Sequence, residues 1–375
     1  MDAAATRLYY PATELEATET AASRVTPKQD RGENASWRHR LSRHITRRTL
    51  VATALAAPAV LRAAEPIRLR VSVETVPTHG RTIAAADFCR KVEDASKGAI
   101  KTELFHSGQL FTDQNIVTAL VQNQVEMSLP GTWGLAGFVP SVDIAQLPAL
   151  YARSVDAAHR VIDGKTGQMI NGEIAGKLRM HVLGRWLDLG FENWYGTSKP
   201  LLSLDDLRGM KIRNSGGAGK AWRTSFLGAI PNTTPMPSVA LALSQGTFDG
   251  LITTNETVAS GSLWEAHVQH ALEDHQAFNA YVPLVGGGFW QGLPEDPRAL
   301  LTDVWDANIA SYRAHMAAAQ VAAREKLVAH GVVFTVPDAA QTEAVRNRML
   351  AVQDGLVKQW RITPEIAAQA LADAS

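Results

Sequence analysis

From residue 67 onward, short apolar strands alternate with amphipathic helices, and this alternation restricts the fold more than any other property of the chain. "IRLRVSVETV" alternates apolar and polar residues, as a strand with one buried face must. A helix is predicted over 80–96, stopped by Gly98, and "AIKTELFHSG" is the next strand. "TDQNIVTALVQNQ" reads as a helix and "VEMSLPG" as a strand, after which a loop carries Thr132 and Trp133. The later chain repeats the order. "MKIRN" is a strand, "GKAWRTSFLGA" a helix capped by Asn214 or Ser215, "SVALALSQG" a helix and "TFDGLITT" a strand. Strands separated by helices of about 10–15 residues predict an α/β protein with a largely parallel sheet covered on both faces.

"ALVQNQVEMSLPG" and "ALSQGTFDGLITT" follow one pattern. Each ends a helix on Gln, passes an acidic residue and enters a strand. Two α/β lobes that present equivalent strand ends are expected, with a ligand cleft between them. The stretch 303–330 reads as one long helix ended by Gly331, long enough at about 1.5 Å per residue to brace both lobes. The expected division is 65–190 with 280–315 in lobe I and 191–279 with 316–375 in lobe II. At 375 residues the chain is long enough for about two domains.

Residues 1–64 differ from the rest. The first part is polar and without periodicity, which predicts disorder. A basic segment (Arg38, Arg40, Arg43, Arg47, Arg48) then precedes an apolar core from Leu50 to Leu61 and the small residues Ala63 and Ala64. That order predicts a signal peptide and an exported mature chain. Arg47-Arg48 is either a twin-arginine signal or ordinary charge ahead of the apolar core.

Several chemistries are excluded. The formal net charge of +0 argues against general nucleic-acid binding. The single cysteine, Cys89, allows no intrachain disulfide and is expected to be buried. Gly219-Lys220 is not a P-loop, because Asn214 stands where its first glycine belongs and Ala221 has no hydroxyl. His267, His270 and His275 fit no usual zinc spacing, and there is no serine-hydrolase elbow. No metal or cofactor is expected. Trp222 and Trp360 are expected in the core, whereas Trp133 reads equally as packing or as an aromatic ligand wall.

Arg213 carries the strongest functional signal. It lies at the carboxyl end of a strand, just before the run "NSGGAGK". It is either a surface arginine or a guanidinium held at the cleft, whose planar fork suits a carboxylate. On the second reading the glycines let the backbone approach the anion.

"SKPLLSLDDLRGMKIR", "MPSVALALSQGTFDGLITT", "SGQLFTDQNIVTALVQNQVEM" and "GGFWQGLPEDPRALL" resemble the solute-binding receptors of TRAP transporters, the dicarboxylate-receptor family. The likeness runs over about 69–360. It implies a two-lobed periplasmic binding protein of the Venus-flytrap type, with a long C-terminal bracing helix. Such a receptor would be a non-catalytic monomer in the periplasm that binds a small carboxylate and docks with TRAP permease membrane subunits. The resemblance makes Arg213 the carboxylate clamp. It puts further pocket positions at Asp113, Gly131, Thr132, Trp133, Ser215, Gly216, Met236 and Thr253. Two departures concern the ligand. Relatives often carry arginine in a G-F-R-N segment, where this chain has Glu192 in Gly190-Phe191-Glu192-Asn193. Glu192 either lines the cleft or turns to solvent, with Arg185 then supplying a second cation. Relatives often place an asparagine where Thr253 stands here, and Asn255 follows two residues on. The alternative from another class is a secreted enzyme acting on an organic acid through Asp113 or Glu192 with a histidine.

Overall fold

The computed structural model describes residues 65–375, so the expected signal peptide and arginine pair lie outside the described residues. Among the described residues eleven strands form two sheets: β1 (Ile67–Ser72), β2 (Ile100–Phe105), β3 (Met127–Ser128), β4 (His181–Val182), β5 (Leu187–Gly196), β6 (Lys211–Asn214), β7 (Ile230–Thr233), β8 (Gly250–Thr253), β9 (His270–Tyr281), β10 (Leu284–Val285) and β11 (Val333–Thr335). The first sheet has the order β2-β1-β3-β10-β4 and the second β11-β9-β5-β8-β6-β7.

Strand alternation does its predicted work in β1. Leu69 and Val71 are buried with Ala85, Phe88 and Val92 of the helix Gly80–Ala95, while Arg68 stays exposed. Cys89 is buried on the same helix face. Trp360 lies in a core cluster and Trp222 packs against it half-buried.

The parallel expectation holds for β1 with β2 and β3, and for β6 with β7 and β8. It fails at β5 and β9, which pair with each other antiparallel from Leu187↔Tyr281 to Gly196↔His270, as β5 does with β8. These two strands link the lobes. Leu187 and Tyr281 belong to the core of the first sheet, whereas Trp194 and Leu272 belong to a core of the second. Register shifts between Asp188 and Gly190 and between Glu192 and Trp194 bend β5 on the way. β9 buries Glu273, Asp274, Gln276 and Asn279 along with its apolar residues, so "HALEDHQAFNAY" lacks the apolar/polar alternation that would have marked it.

The long helix spans Glu295–Ala329, eight residues earlier than expected. Pro297 sits in the first helical turn, where a missing N–H is tolerated. Leu301, Trp305, Ile309 and Met316 pack into the first lobe, and Ala323 and Leu327 into a core of the second. One rigid element therefore touches both. The helices that follow pack in two places. Val345 and Met349 pack beside Leu207 and Ile212, but Leu356, Trp360, Ile366 and Ala370 pack with Val161, Ile170 and Ile174 of the helices Val155–Asp163 and Lys165–Leu178. An amphipathic pattern shows that a helix buries one face but not which core receives it. Among the described residues no helix is long and apolar enough to cross a membrane.

Candidate ligand-binding site

Period-two alternation places Arg213. On β6, Ile212 points into a core with Leu207 and Leu272, so Arg213 faces the other side, toward the first lobe. There it lines a cavity with Glu74, Thr75, Arg81, Asp113, Trp133 and Tyr281 from the first lobe and its ends. Glu192, Ser215, Met236, Thr253 and Thr257 complete the wall. The cavity volume is about 30 Å³, room for roughly one water and far below the roughly 300–1,000 Å³ of ligand pockets, so the walls stand closed on one another.

The charges around this space are mostly spent on one another. Arg81 donates from Nη1 to both Asp113 oxygens at 2.9 and 3.0 Å and to Leu129 O at 3.1 Å, and its guanidinium stacks 4.4 Å over Tyr281. Glu192 is 2% exposed, which excludes the solvent-facing alternative, and its Oε1 receives Lys220 Nζ at 2.5 Å. Lys220 also donates to Ser215 Oγ at 2.8 Å and sits 4.2 Å over the Trp133 ring. Burial pushes the Lys220 pKa down while Glu192 pulls it back. Arg185 is exposed and supplies nothing here.

Arg213 differs. Its Nε donates to Thr234 O at 2.9 Å, and among the described residues it has no carboxylate in ion-pair contact. Burial pushes its pKa down to about 10, against the pull of Glu74, Glu192 and Asp113, so it stays charged at neutral pH. Two buried polar atoms on the wall are also without partners: Glu192 Oε2, an acceptor, and Trp133 Nε1, a donor.

Of the expected residues, Arg213, Glu192, Asp113, Trp133, Ser215, Met236 and Thr253 surround the cavity. Gly131, Thr132 and Gly216 do not line it. Gly131 seats Trp133, since a Cβ there would lie 2.2 Å from the indole. Asn255 points elsewhere: it accepts from Tyr195 Oη and donates to Glu273 Oε1. As the first residue of the helix Asn255–Ser260, just after β8, it turns off the wall. The glycine cluster also serves another anion. Gly216 and Gly217, at φ 114° and 90°, turn the chain into the helix Ala218–Phe226. Gly217, rather than Asn214 or Ser215, is the N-cap. The helix N-terminus receives the protein's own Asp143, whose Oδ2 accepts from Gly219 N at 3.2 Å. Among the described residues no cluster suits a metal ion.

Glu74 went unnoticed in the sequence. Its Oε2 accepts from Asp113 N at 2.7 Å and its Oε1 from Met236 N, in the other lobe, at 3.2 Å. Burial and the neighbouring Asp113 push its pKa up to about 7, against Arg81 and Arg213. The folded state therefore holds this proton more tightly than the unfolded chain, and stability falls as pH rises from about 4.5 through about 7. Asp274, raised by burial to about 6, contributes in the same direction. In ligand-free protein, Glu74→Gln is expected to reduce the loss of Tm between pH 5 and pH 7 by on the order of 3 °C, leaving the Asp274 share. Thermal unfolding at the two pH values checks this, and an unchanged loss would contradict it.

The profile of the family described as bacterial extracellular solute-binding protein, family 7, matches residues 72–359. Over 254 residues the chain is 29% identical to the C4-dicarboxylate-binding periplasmic protein DctP of Rhodobacter capsulatus, covering 67% of this chain and 73% of that one. Over 240 residues it is 27% identical to the 2,3-diketo-L-gulonate-binding periplasmic protein YiaO of Escherichia coli (strain K12), covering 64% and 72%. In fold it is similar to the sugar acid binding protein DctPAm from Advenella mimigardefordensis strain DPN7T, solved in complex with galactonate. That likeness has a TM-score of 0.78 at 22% identity and covers 83% of this chain and 98% of that one.

Proposed function

Since the chain belongs to the bacterial extracellular solute-binding proteins of family 7, we propose that it is a periplasmic receptor that captures a small carboxylic acid between its lobes and delivers it, unchanged, to a TRAP membrane permease. Members of this family are binding receptors. The observation that carries the reading is Arg213, a buried cation facing the cavity without a carboxylate partner among the described residues, while Arg81 and Lys220 each have one. An incoming carboxylate completes that pairing.

The other unpartnered atoms describe the rest of the ligand. A hydroxyl accepts from Trp133 Nε1 and donates to Glu192 Oε2; an ammonium can satisfy only the second. A second carboxylate would find no free cation, because Arg81 is held by Asp113 and Lys220 by Glu192. The favoured ligand is therefore a hydroxy-monocarboxylate. Calorimetric titration tests this with glycolate, lactate and glycerate against succinate. The hydroxy acids are expected to bind at least about tenfold tighter, roughly 1.4 kcal/mol, and to be recovered unchanged. Glu192→Gln narrows the gap by releasing Lys220 as a second cation. Tight succinate binding that the substitution leaves alone would overturn the assignment.

A further inference from the structure

A second compartment adjoins the cavity. Its volume is about 280 Å³, against about 30 Å³ inside. Glu74, Thr75, Met236 and Thr257 line both, so these four residues form the wall between them. The contact that closes the wall is narrow: Met236 N donates to Glu74 Oε1 at 3.2 Å across the two lobes. Beyond it the chemistry changes. The inner space is ringed by Arg81, Arg213, Asp113 and Glu192, whereas the outer one is lined chiefly by Val76, Met236, Pro237, Ala240 and Leu263. Its polar members are already engaged. His79 Nδ1 accepts from Arg81 N at 3.0 Å, its Nε2 lies 3.3 Å from Thr257 Oγ1, Ser107 Oγ lies 3.0 Å from His106 Nδ1, and Ser260 Oγ donates to Thr257 O.

We propose that this outer compartment is a second subsite, which receives a hydrocarbon arm of the acid whose carboxylate lies on Arg213. The proposal rests on the carboxylate reading above and narrows it. The ligand is a hydroxy-monocarboxylate with an alkyl or branched arm, rather than a polyhydroxylated acid. A polyol arm would bring hydroxyls against Val76, Pro237 and Leu263, where they find few partners and lose those they have in water. A hydrocarbon arm gains from leaving water.

The test is calorimetric titration of the full chain with 2-hydroxypropanoate, 2-hydroxybutanoate, 2-hydroxypentanoate and 2-hydroxyhexanoate. Each buried methylene raises affinity by up to about fourfold, so the series should rise by tens of fold from its first member to its last. Ala240 lines the outer compartment only and is exposed on its short helix. Ala240→Phe fills the space and should flatten the series while leaving 2-hydroxypropanoate within twofold of wild type. A series that is flat or falling in the wild type would overturn the subsite while leaving the carboxylate reading standing. A rise that survives Ala240→Phe would also overturn it. Binding of none of the four would overturn both.

Discussion

Lys220→Met is expected to destabilise the protein by about 3–5 kcal/mol, because it leaves the Glu192 carboxylate buried without a counter-ion. Both side chains are almost inaccessible, at 1% and 2%, and Glu192 Oε2 has no other partner to fall back on. The loss belongs to the orphaned charge rather than to the pair, since replacing both members of a buried ion pair is often close to neutral. Lys220→Met combined with Glu192→Gln should therefore recover most of the stability. Glu192→Gln alone should fall between, because Asp143 also attracts Lys220. Denaturant unfolding of the four proteins gives the coupling energy directly. A single Lys220→Met variant within about 0.5 kcal/mol of wild type, the range of ordinary surface substitutions, would show that the pair does not carry this charge balance.

What the sequence disclosed depended on how local each signal was. The first sheet was readable because β1, the helix Gly80–Ala95 and β2 each carry their own periodicity within a few dozen residues. Arg213 was readable for the same reason: a short strand, alternation, and glycines after it. The linking strands β5 and β9 were not, since burial on both faces removed the pattern. The ion pairs were also hidden. Lys220 and Glu192 are 28 residues apart, Arg81 and Asp113 are 32 apart, and Glu74 meets Met236 across 162 residues. No local pattern shows these pairings; only the fold brings each charge to its partner, so Glu192 was weighed for the cleft without the Lys220 that comes attached to it. The glycine run misled in the same way. Its demand for an anion near the helix N-terminus was real, but Asp143, distant in sequence, meets it.

The largest effect on binding is expected at Arg213. Removing its guanidinium deletes the one cation on the cavity wall that lacks a carboxylate partner among the described residues. The lining then holds Glu74, Asp113 and Glu192 against Arg81, with Lys220 behind. An entering carboxylate would lose its partner and face a surplus of like charge. Truncating one member of a desolvated charge pair costs about 2–5 kcal/mol, and each 1.4 kcal/mol is about tenfold. Arg213→Ala should weaken binding at least about thirtyfold. Arg213→Lys should fail nearly as badly, because a single ammonium cannot present the two parallel donors of the fork. The fold should survive both changes. Arg213 lies on the cavity side of β6, and Ile212 keeps the opposite face packed.

The decisive measurement is calorimetric titration of wild type and Arg213→Ala with the hydroxy-monocarboxylate that binds wild type most tightly, each protein first checked for the same folded circular dichroism. The account predicts a saturable wild-type isotherm and a loss of at least about thirtyfold in the folded variant. Binding of the same acid by Arg213→Ala within threefold of wild type would contradict it.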